Sequence, residues 1–128
     1  MHGTIDPPCT CSRTAVGSDW GAAMARRYLA CRRRRSDMLT PGLFADPAWD
    51  MLLDLYAAGI EGTSVSVTSL CIASEVPSTT ALRWITSLEA RGLIRKHPDG
   101  RDGRRTFITI SEDAAAAIES WLRATFTR

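Results

Sequence analysis

The sequence predicts a mainly α-helical fold with a small β-sheet. In several segments apolar residues recur at spacings of three and four, the period of an amphipathic helix. Between residues 93 and 110, two short segments instead favour strands, and a loop containing Gly100 and Gly103 separates them. At 128 residues, the chain can form one domain with a real core if most of its helices pack together.

The N-terminal quarter divides into a tail and a helix. Residues 1–18 contain prolines and glycines without a hydrophobic period, which predicts a disordered tail. A helix is predicted from Asp19 to about Arg35, capped by Ser18 or Asp19. It carries one apolar stripe, formed by Trp20, Met24, Tyr28 and Cys31. The helix is too isolated to bury this stripe by itself. It therefore needs a partner, either the body of the domain or a second subunit. The region 19–45 is assigned to this helix and its linker.

A second helix and a short third one are expected next. Asp46 can accept backbone donors as a cap, Pro47 fits the first helical position, and the helix ends at Gly59 or Gly62. Residues 64–66 favour a brief strand, after which Ser66 caps a short helix with Leu70 facing inward. Cys71 lies in that helix among apolar residues, so a buried reduced thiol is expected.

A longer helix follows the turn at residues 75–77. Ser78 is its predicted cap and Gly92 its end, with a buried face of Ala81, Ile85 and Leu88. Strands are predicted at residues 93–96 and 106–110, and a last helix begins after the capping residue Ser111. Helix, tight turn, helix and hairpin, in this order, indicate a winged helix-turn-helix spanning residues 46–110. The apolar residues of the last helix, in region 111–128, again require a partner surface.

Positive charge is concentrated in the predicted hairpin. Residues 91–105 contain six basic and two acidic side chains, a local charge of +4, whereas the rest of the chain sums to −2. Basic side chains that neutralise DNA phosphates release condensed counterions, so this distribution is typical of phosphate binding. The alternative is a charged hairpin that is merely solvated.

The candidate DNA-binding residues lie on the longer helix and in the loop after it. Ser78, Thr79 and Thr80 offer donors, Ser87 lies on the same side, and Arg83 can contact guanine or a phosphate. In the loop, Asp102 can hold Arg104 for the minor groove, with phosphates beside the other two arginines, Arg101 and Arg105. The alternative is that Thr79 and Thr80 only start the helix and Arg83 pairs with an acid.

Several other functional classes are not indicated. His97 has no nucleophile or carboxylate arranged near it in sequence, so no catalytic residue and no enzyme activity are predicted. Cys9 and Cys11 form a weak metal or redox pattern, and neither a metal site nor a cofactor is predicted. Without a secretion signal or a spanning segment, no membrane partner and a cytoplasmic location are expected.

Two runs of the sequence resemble the MarR family of bacterial winged-helix transcription regulators. These runs are LCIASEVPSTTALRWITSLEARGLIRK and DGRRTFITIS. Thr79, Thr80 and Arg83 match the recognition-helix positions of the family, and Asp102 with Arg104 matches its wing pair. The helix exit of the family, Leu-Glu-x-x-Gly-Leu, stands at residues 88–93. Trp84 departs from the family, which usually has a smaller aliphatic residue there, and the N-terminal helix looks short.

The resemblance implies a homodimer on double-stranded DNA. In this family, the N- and C-terminal helices interlace, which would make 19–45 and 111–128 dimerisation segments. It also implies a pseudo-palindromic operator and, usually, a repressor relieved by small aromatic compounds. Trp20, Trp49 and Tyr56 are the candidate ligand-binding residues, with ordinary core packing as their alternative. The competing function is a winged-helix module that binds proteins and not DNA.

Overall fold

The computed structural model describes residues 17–40, 43, 45–101 and 103–127. Most of the predicted tail, with Cys9 and Cys11, lies outside the described residues, as does Asp102 of the wing. The described chain forms five helices and three short strands, which confirms the predicted fold class. In chain order they are α1 (Asp19–Met38), α2 (Pro47–Glu61), β1 (Val65–Ser66), α3 (Val67–Ala73), α4 (Ser78–Ala90), β2 (Ile94–Pro98), β3 (Thr106–Ile110) and α5 (Glu112–Phe126).

The three strands form one antiparallel sheet in the order β1-β3-β2. Ile108 of β3 is opposite Val65 on one side and Lys96 on the other. Ile108 and Ile110 are buried, whereas Phe107 and Thr109 are only half-buried, so the predicted alternation of the strand is confirmed. Its apolar face meets the helices.

Helix α1 packs along α2 with a different face from the one predicted. Its buried apolar residues are Ala22, Ala25 and Leu29, because small side chains let the two helices approach closely. Of the predicted stripe, Trp20, Met24 and Tyr28 are only partly buried and Cys31 is exposed. The helix also continues to Met38, beyond the predicted end at Arg35.

Three of the predicted serine caps are confirmed. The hydroxyl oxygens of Ser18, Ser66 and Ser111 each accept a hydrogen bond from the backbone N–H three residues later. Gly62 ends α2 with a left-handed φ of 77°. Asp46 stands at the predicted N-cap of α2, followed by Pro47 at the first helical position, but the Asp46 side chain makes no capping bond. The cap predicted at Ser78 is wrong, because Pro77 takes the cap position of α4.

The ends of α4 differ slightly from the prediction. The helix stops at Ala90 and Arg91 is its C-cap, while Gly92 adopts a left-handed φ of 76°. In the turn before α4, Glu75 has a φ of 60°, which non-glycine residues rarely adopt. Among the described residues, no helix is both long and apolar enough to pass through a lipid bilayer.

Candidate nucleic-acid interface

The outer face of α4 presents the predicted polar side chains. Ala81, Ile85 and Leu88 are buried against the core, as the helical period predicts. On the other side, Ser78, Thr79 and Arg83 are exposed, whereas Thr80 and Ser87 are half-buried. The first turn of α4 is therefore open to a ligand that approaches from outside.

The wing is the loop at residues 99–105 between β2 and β3. The backbone N–H of Asp99 donates to the carbonyl of Arg105 at 2.9 Å, which closes the loop at its base. The side chain of Asp99 in turn accepts from the backbone N–H of Arg101 at 2.9 Å. Arg101, Arg104 and Arg105 are all exposed. The guanidinium of Arg105 lies 5.9 Å from the ring centre of Phe107, which steadies this side chain over the sheet.

The basic side chains of α4 and the wing have few acidic partners. Lys96 pairs with Glu89 at 3.5 Å. By contrast, within the described part of the chain, the side chains of four arginines form no ion pair; they are Arg83, Arg95, Arg101 and Arg105. The intramolecular acid proposed as the alternative partner of Arg83 is thus not found among these residues. An exposed surplus of positive charge is left for an anionic ligand.

Arg95 is not among the candidate binding residues predicted from the sequence, and what His97 contacts was not predicted either. Arg95 and His97 of β2 pair with Thr109 and Phe107 of β3, so all four lie on the outer face of the sheet. The Nε2 atom of His97 is 2.8 Å from the hydroxyl of Thr109. The alternation along β2 could have shown that Arg95 shares the exposed face of the hairpin.

A second polar group ties the two ends of the chain together. We call Ser18, Tyr56, Glu119 and Arg123 the Glu119 cluster. Glu119 accepts hydrogen bonds from the Tyr56 hydroxyl, from the backbone N–H of Ser18 at 3.1 Å and from its hydroxyl at 2.9 Å. Arg123 donates to the same carboxylate at 2.8 Å. The cluster joins the start of α1 to α2 and α5.

Burial and hydrogen bonds shift two pKa values in the Glu119 cluster. Burial by itself favours the neutral carboxyl group, but the bonds from Tyr56, Ser18 and Arg123 outweigh it, so the pKa of Glu119 lies below its usual value. Burial, assisted by the bond to Glu119, raises the pKa of Tyr56 above its usual 10.0. At neutral pH, the pair is therefore a phenol donating to a carboxylate. Elsewhere, burial raises the pKa of the Cys71 thiol, and its predicted burial is confirmed.

An apolar hollow of about 300 Å³ lies between α2, α5 and the start of the hairpin. Its lining residues are Trp49, Leu52, Leu93, Ala114, Ala117, Ile118 and Trp121. The rings of Trp49 and Trp121 meet edge to face at 5.0 Å. Of the candidate ligand-binding residues, only Trp49 lines the hollow. Tyr56 is fully buried in the Glu119 cluster, and Trp20 lies under the guanidinium of Arg123 at 4.7 Å.

Other kinds of site are not apparent in the described ranges. Residues 17–40, 43, 45–101 and 103–127 contain no group of three or more His, Cys, Asp or Glu that could hold a metal ion. The described residues thus present an exposed polar helix face, a basic wing and an apolar hollow.

Comparisons with known proteins identify similar folds through structure alone. No protein-family profile matches the sequence. No curated protein sequence matches it either. Among solved structures, MepR of Staphylococcus aureus in its DNA-binding conformation has a TM-score of 0.54 and 16% identity, covering 77% of this chain and 69% of MepR. The transcriptional regulator Tm0710 of Thermotoga maritima has a TM-score of 0.52 and 21% identity, covering 84% and 67%.

A third solved structure is BpsR of Bordetella bronchiseptica, whose DNA binding is regulated by 6-hydroxynicotinic acid. It has a TM-score of 0.53 and 19% identity, and the match covers 80% of this chain and 69% of BpsR. At such identities, the shared property is the arrangement of the helices and strands. This chain has the winged-helix fold of the MarR-family regulators.

Proposed function

We propose that this protein is a MarR-family transcription regulator that binds a pseudo-palindromic operator as a homodimer and represses transcription. The observation that carries the proposal is the exposed face of α4, where Arg83 has no acidic partner in the described chain and the arginine wing follows. A basic surface on a slightly acidic remainder favours a polyanion. Such a regulator acts in the bacterial cytoplasm, where the chromosome lies.

The parts have distinct roles in this proposal. α4 enters the major groove with its first turn, where Ser78, Thr79 and Thr80 donate to phosphates or base edges. Arg83 contacts guanine with its two-pronged guanidinium. In the wing, Asp102 and Arg104 stand at the sequence positions of the family's wing pair, and Arg104 enters the minor groove. The other two wing arginines, Arg101 and Arg105, lie beside phosphates, and Ser87 completes the set on α4.

Homodimerisation is supported by the apolar side chains at the ends of the chain. Trp121 and Phe126 of α5 contact Tyr28 of α1, with ring centres 5.5 and 5.8 Å apart, yet they stay 36% and 41% exposed. Farther along α1, Met38 is 75% exposed, and Leu39 beyond it is 64% exposed. Full burial of an apolar side chain of this size is favourable by about 1.5–3 kcal/mol. A dimer in which a second copy covers these side chains would therefore be stabilised.

A small aromatic effector is the finer part of the proposal. The hollow at Trp49 and Trp121 is apolar and walled by aromatic rings, which suits a flat aromatic compound. BpsR, which has a similar fold, is regulated by such a compound. A compound bound between α5 and the base of the hairpin would bias the spacing of the two copies of α4, and this would relieve repression.

The test is a titration of the protein with labelled duplexes from the DNA around its own gene, together with light scattering. We expect two chains per duplex and salt-dependent binding to one fragment, with half-sites about 34 Å apart. Sequence-blind weak binding, or a strict monomer at micromolar concentration, would contradict the proposal. The protein-binding alternative predicts instead that changing Arg83 and Arg104 to alanine leaves partner capture intact.

A further inference from the structure

The exposed tryptophan of α4 is not explained by the core. Trp84 is 40% exposed and, in the described part of the chain, its indole N–H makes no hydrogen bond. The ring and the indole N–H of Trp84 are therefore accessible to a ligand that approaches α4 from outside. This inference rests on the proposed binding of DNA.

The position of Trp84 relative to Arg83 defines which part of a groove it would face. Successive helical residues are rotated by about 100°, so Leu82 and Trp84 lie about a quarter turn to either side of Arg83. If Arg83 points to the groove floor, the two flanks of α4 face the sugar–phosphate walls of the major groove. The flanks differ in chemistry.

One flank carries hydrogen-bond donors. Four residues with donor side chains recur on this flank at spacings of four, three and four. We call them the donor row: Thr80, Trp84, Ser87 and Arg91. At the C-terminal end of the row, neighbouring side chains are in contact, because Arg91 Nε donates to Ser87 Oγ at 3.4 Å. The row spans about 16 Å along the helix at 1.5 Å per residue.

The opposite flank is unsuited to phosphate. Leu82 is apolar and 47% exposed, and the hydroxyl of Thr86 already donates to the Leu82 carbonyl at 3.0 Å. Glu89, on the same side, carries a negative charge, which Lys96 offsets at 3.5 Å. Only the donor row therefore matches a polyanionic wall.

We propose that the donor row follows one DNA phosphate strand and that Trp84, through its indole N–H, donates a hydrogen bond to a phosphate oxygen. Thr80 and Ser87 contribute hydroxyl donors, and Arg91 contributes a charged donor at the end of α4. Indole N–H is a donor only, so phosphate suits it as an acceptor. Trp84 thereby positions α4 in the groove, while Arg83 reads bases.

The test compares Trp84→Phe, which keeps an aromatic ring and loses the N–H, with the wild-type protein. Fluorescence anisotropy is measured on the tightest duplex selected from random sequences and on a scrambled duplex of equal length. Because a phosphate contact carries no sequence information, Kd should rise about tenfold on both duplexes and their ratio should stay constant. Leu82→Ala, on the other flank, is the matched control and should change Kd for the scrambled duplex by less than about twofold.

Arg91→Ala supplies a second measurement. It should weaken binding and reduce the slope of log K against log salt by about one, whereas Trp84→Phe leaves this slope unchanged because indole is neutral. The thermal unfolding midpoint of Trp84→Phe should equal that of the wild type.

Three results would overturn the proposal. Wild-type affinity in Trp84→Phe would exclude the donor role, and a loss confined to the selected duplex would make Trp84 a base-reading residue. If the wild type bound neither duplex, the DNA-binding proposal would fail first and the donor row with it.

Discussion

Four arginines of α1 and α5 and four arginines of α4, β2 and the wing have opposite surroundings. In α1 and α5, Arg26, Arg32, Arg33 and Arg123 each pair with a carboxylate, and the bond from Arg32 to Asp50 is 2.7 Å long. Among the described residues of α4, β2 and the wing, Arg83 and its neighbours Arg95, Arg101 and Arg105 have no acidic partner. The first set contributes to holding the helices together, whereas the second set has no acidic partner in the described chain, as the proposed DNA binding requires.

This contrast shows why the net charge of the chain is a poor guide to its function. Overall the chain carries only +2, because it has 14 acidic residues against 16 basic ones, and three of these acids, Asp50, Asp54 and Glu61, pair with arginines of α1. Arg33 even reaches from α1 to the turn before α4, donating to the Ala73 carbonyl at 3.3 Å and pairing with Glu75 at 3.5 Å. The arginines that stabilise the fold can thus be told apart, by their acidic partners, from those that are proposed to bind DNA.

The largest expected effect is at the contact of Gly21 with the Glu119 cluster. A Cβ at this position would overlap the Tyr56 hydroxyl and the Glu119 carboxylate, and Tyr56 is fully buried and cannot move away. We expect Gly21→Ala to lower the free energy of unfolding by about 3 kcal/mol, measured by urea denaturation.

Gly100→Ala is the control for this substitution, since a Cβ at Gly100 meets no atom within 4 Å. It should change stability by less than about 0.5 kcal/mol. Equal stability of the two variants would mean that the ends of the chain are not joined through this cluster.

The next effect breaks a pair that stabilises the fold. The side chains of Arg32 and Asp50 are only 14% and 10% exposed, so Arg32→Ala leaves a buried carboxylate without its cation. We expect a loss of about 2 kcal/mol in unfolding free energy, because an uncompensated buried charge is costly. DNA affinity of the folded fraction should not change. A DNA-binding defect without a stability defect would contradict the division into two sets of arginines.

The converse substitution affects binding alone. Arg83→Ala should raise Kd for the selected duplex about tenfold and relax its sequence preference, while the urea midpoint stays unchanged. Arg27→Ala is the matched control, because Arg27 is an exposed arginine of α1. It should leave Kd within about twofold of the wild type. An equal loss in both variants would reduce the proposed interface to unspecific positive charge.

The smallest effect is a pH dependence in the Glu119 cluster. The folded-state pKa of Glu119 lies below its usual value of 4.5, so its stabilising contribution is present above pH 4.5 and is lost as pH falls through the folded value. The stability difference between wild type and Glu119→Gln should therefore shrink on acidification below pH 4.5. Burial raises the pKa of Asp50, so this carboxyl group also titrates on acidification. Because Asp50 is present in both proteins, its contribution cancels in the difference. A constant difference would contradict the assignment.

Local chemistry explains what could be predicted from the sequence. A serine side chain is short, so its hydroxyl reaches a free backbone N–H in the first turn of the helix that follows it, whatever the tertiary surroundings. This explains the caps at Ser18, Ser66 and Ser111. The buried face of α4 and the alternation of β3 also follow from their periods of 3.6 and 2. One failure was a local competition as well: at α4, Pro77 took the cap position one residue before Ser78.

The sequence by itself determined the elements, their order and the polar face of α4, because capping and hydrophobic periodicity act over a few neighbouring residues. Only the tertiary structure decided which face of α1 meets α2, and that Tyr56, Ser18 and Arg123 converge on Glu119 across up to 101 positions. It also decided which arginines are neutralised, as at Arg32 with Asp50. Such pairings depend on which helices lie side by side, and helical spacing within one segment carries no information about its neighbours.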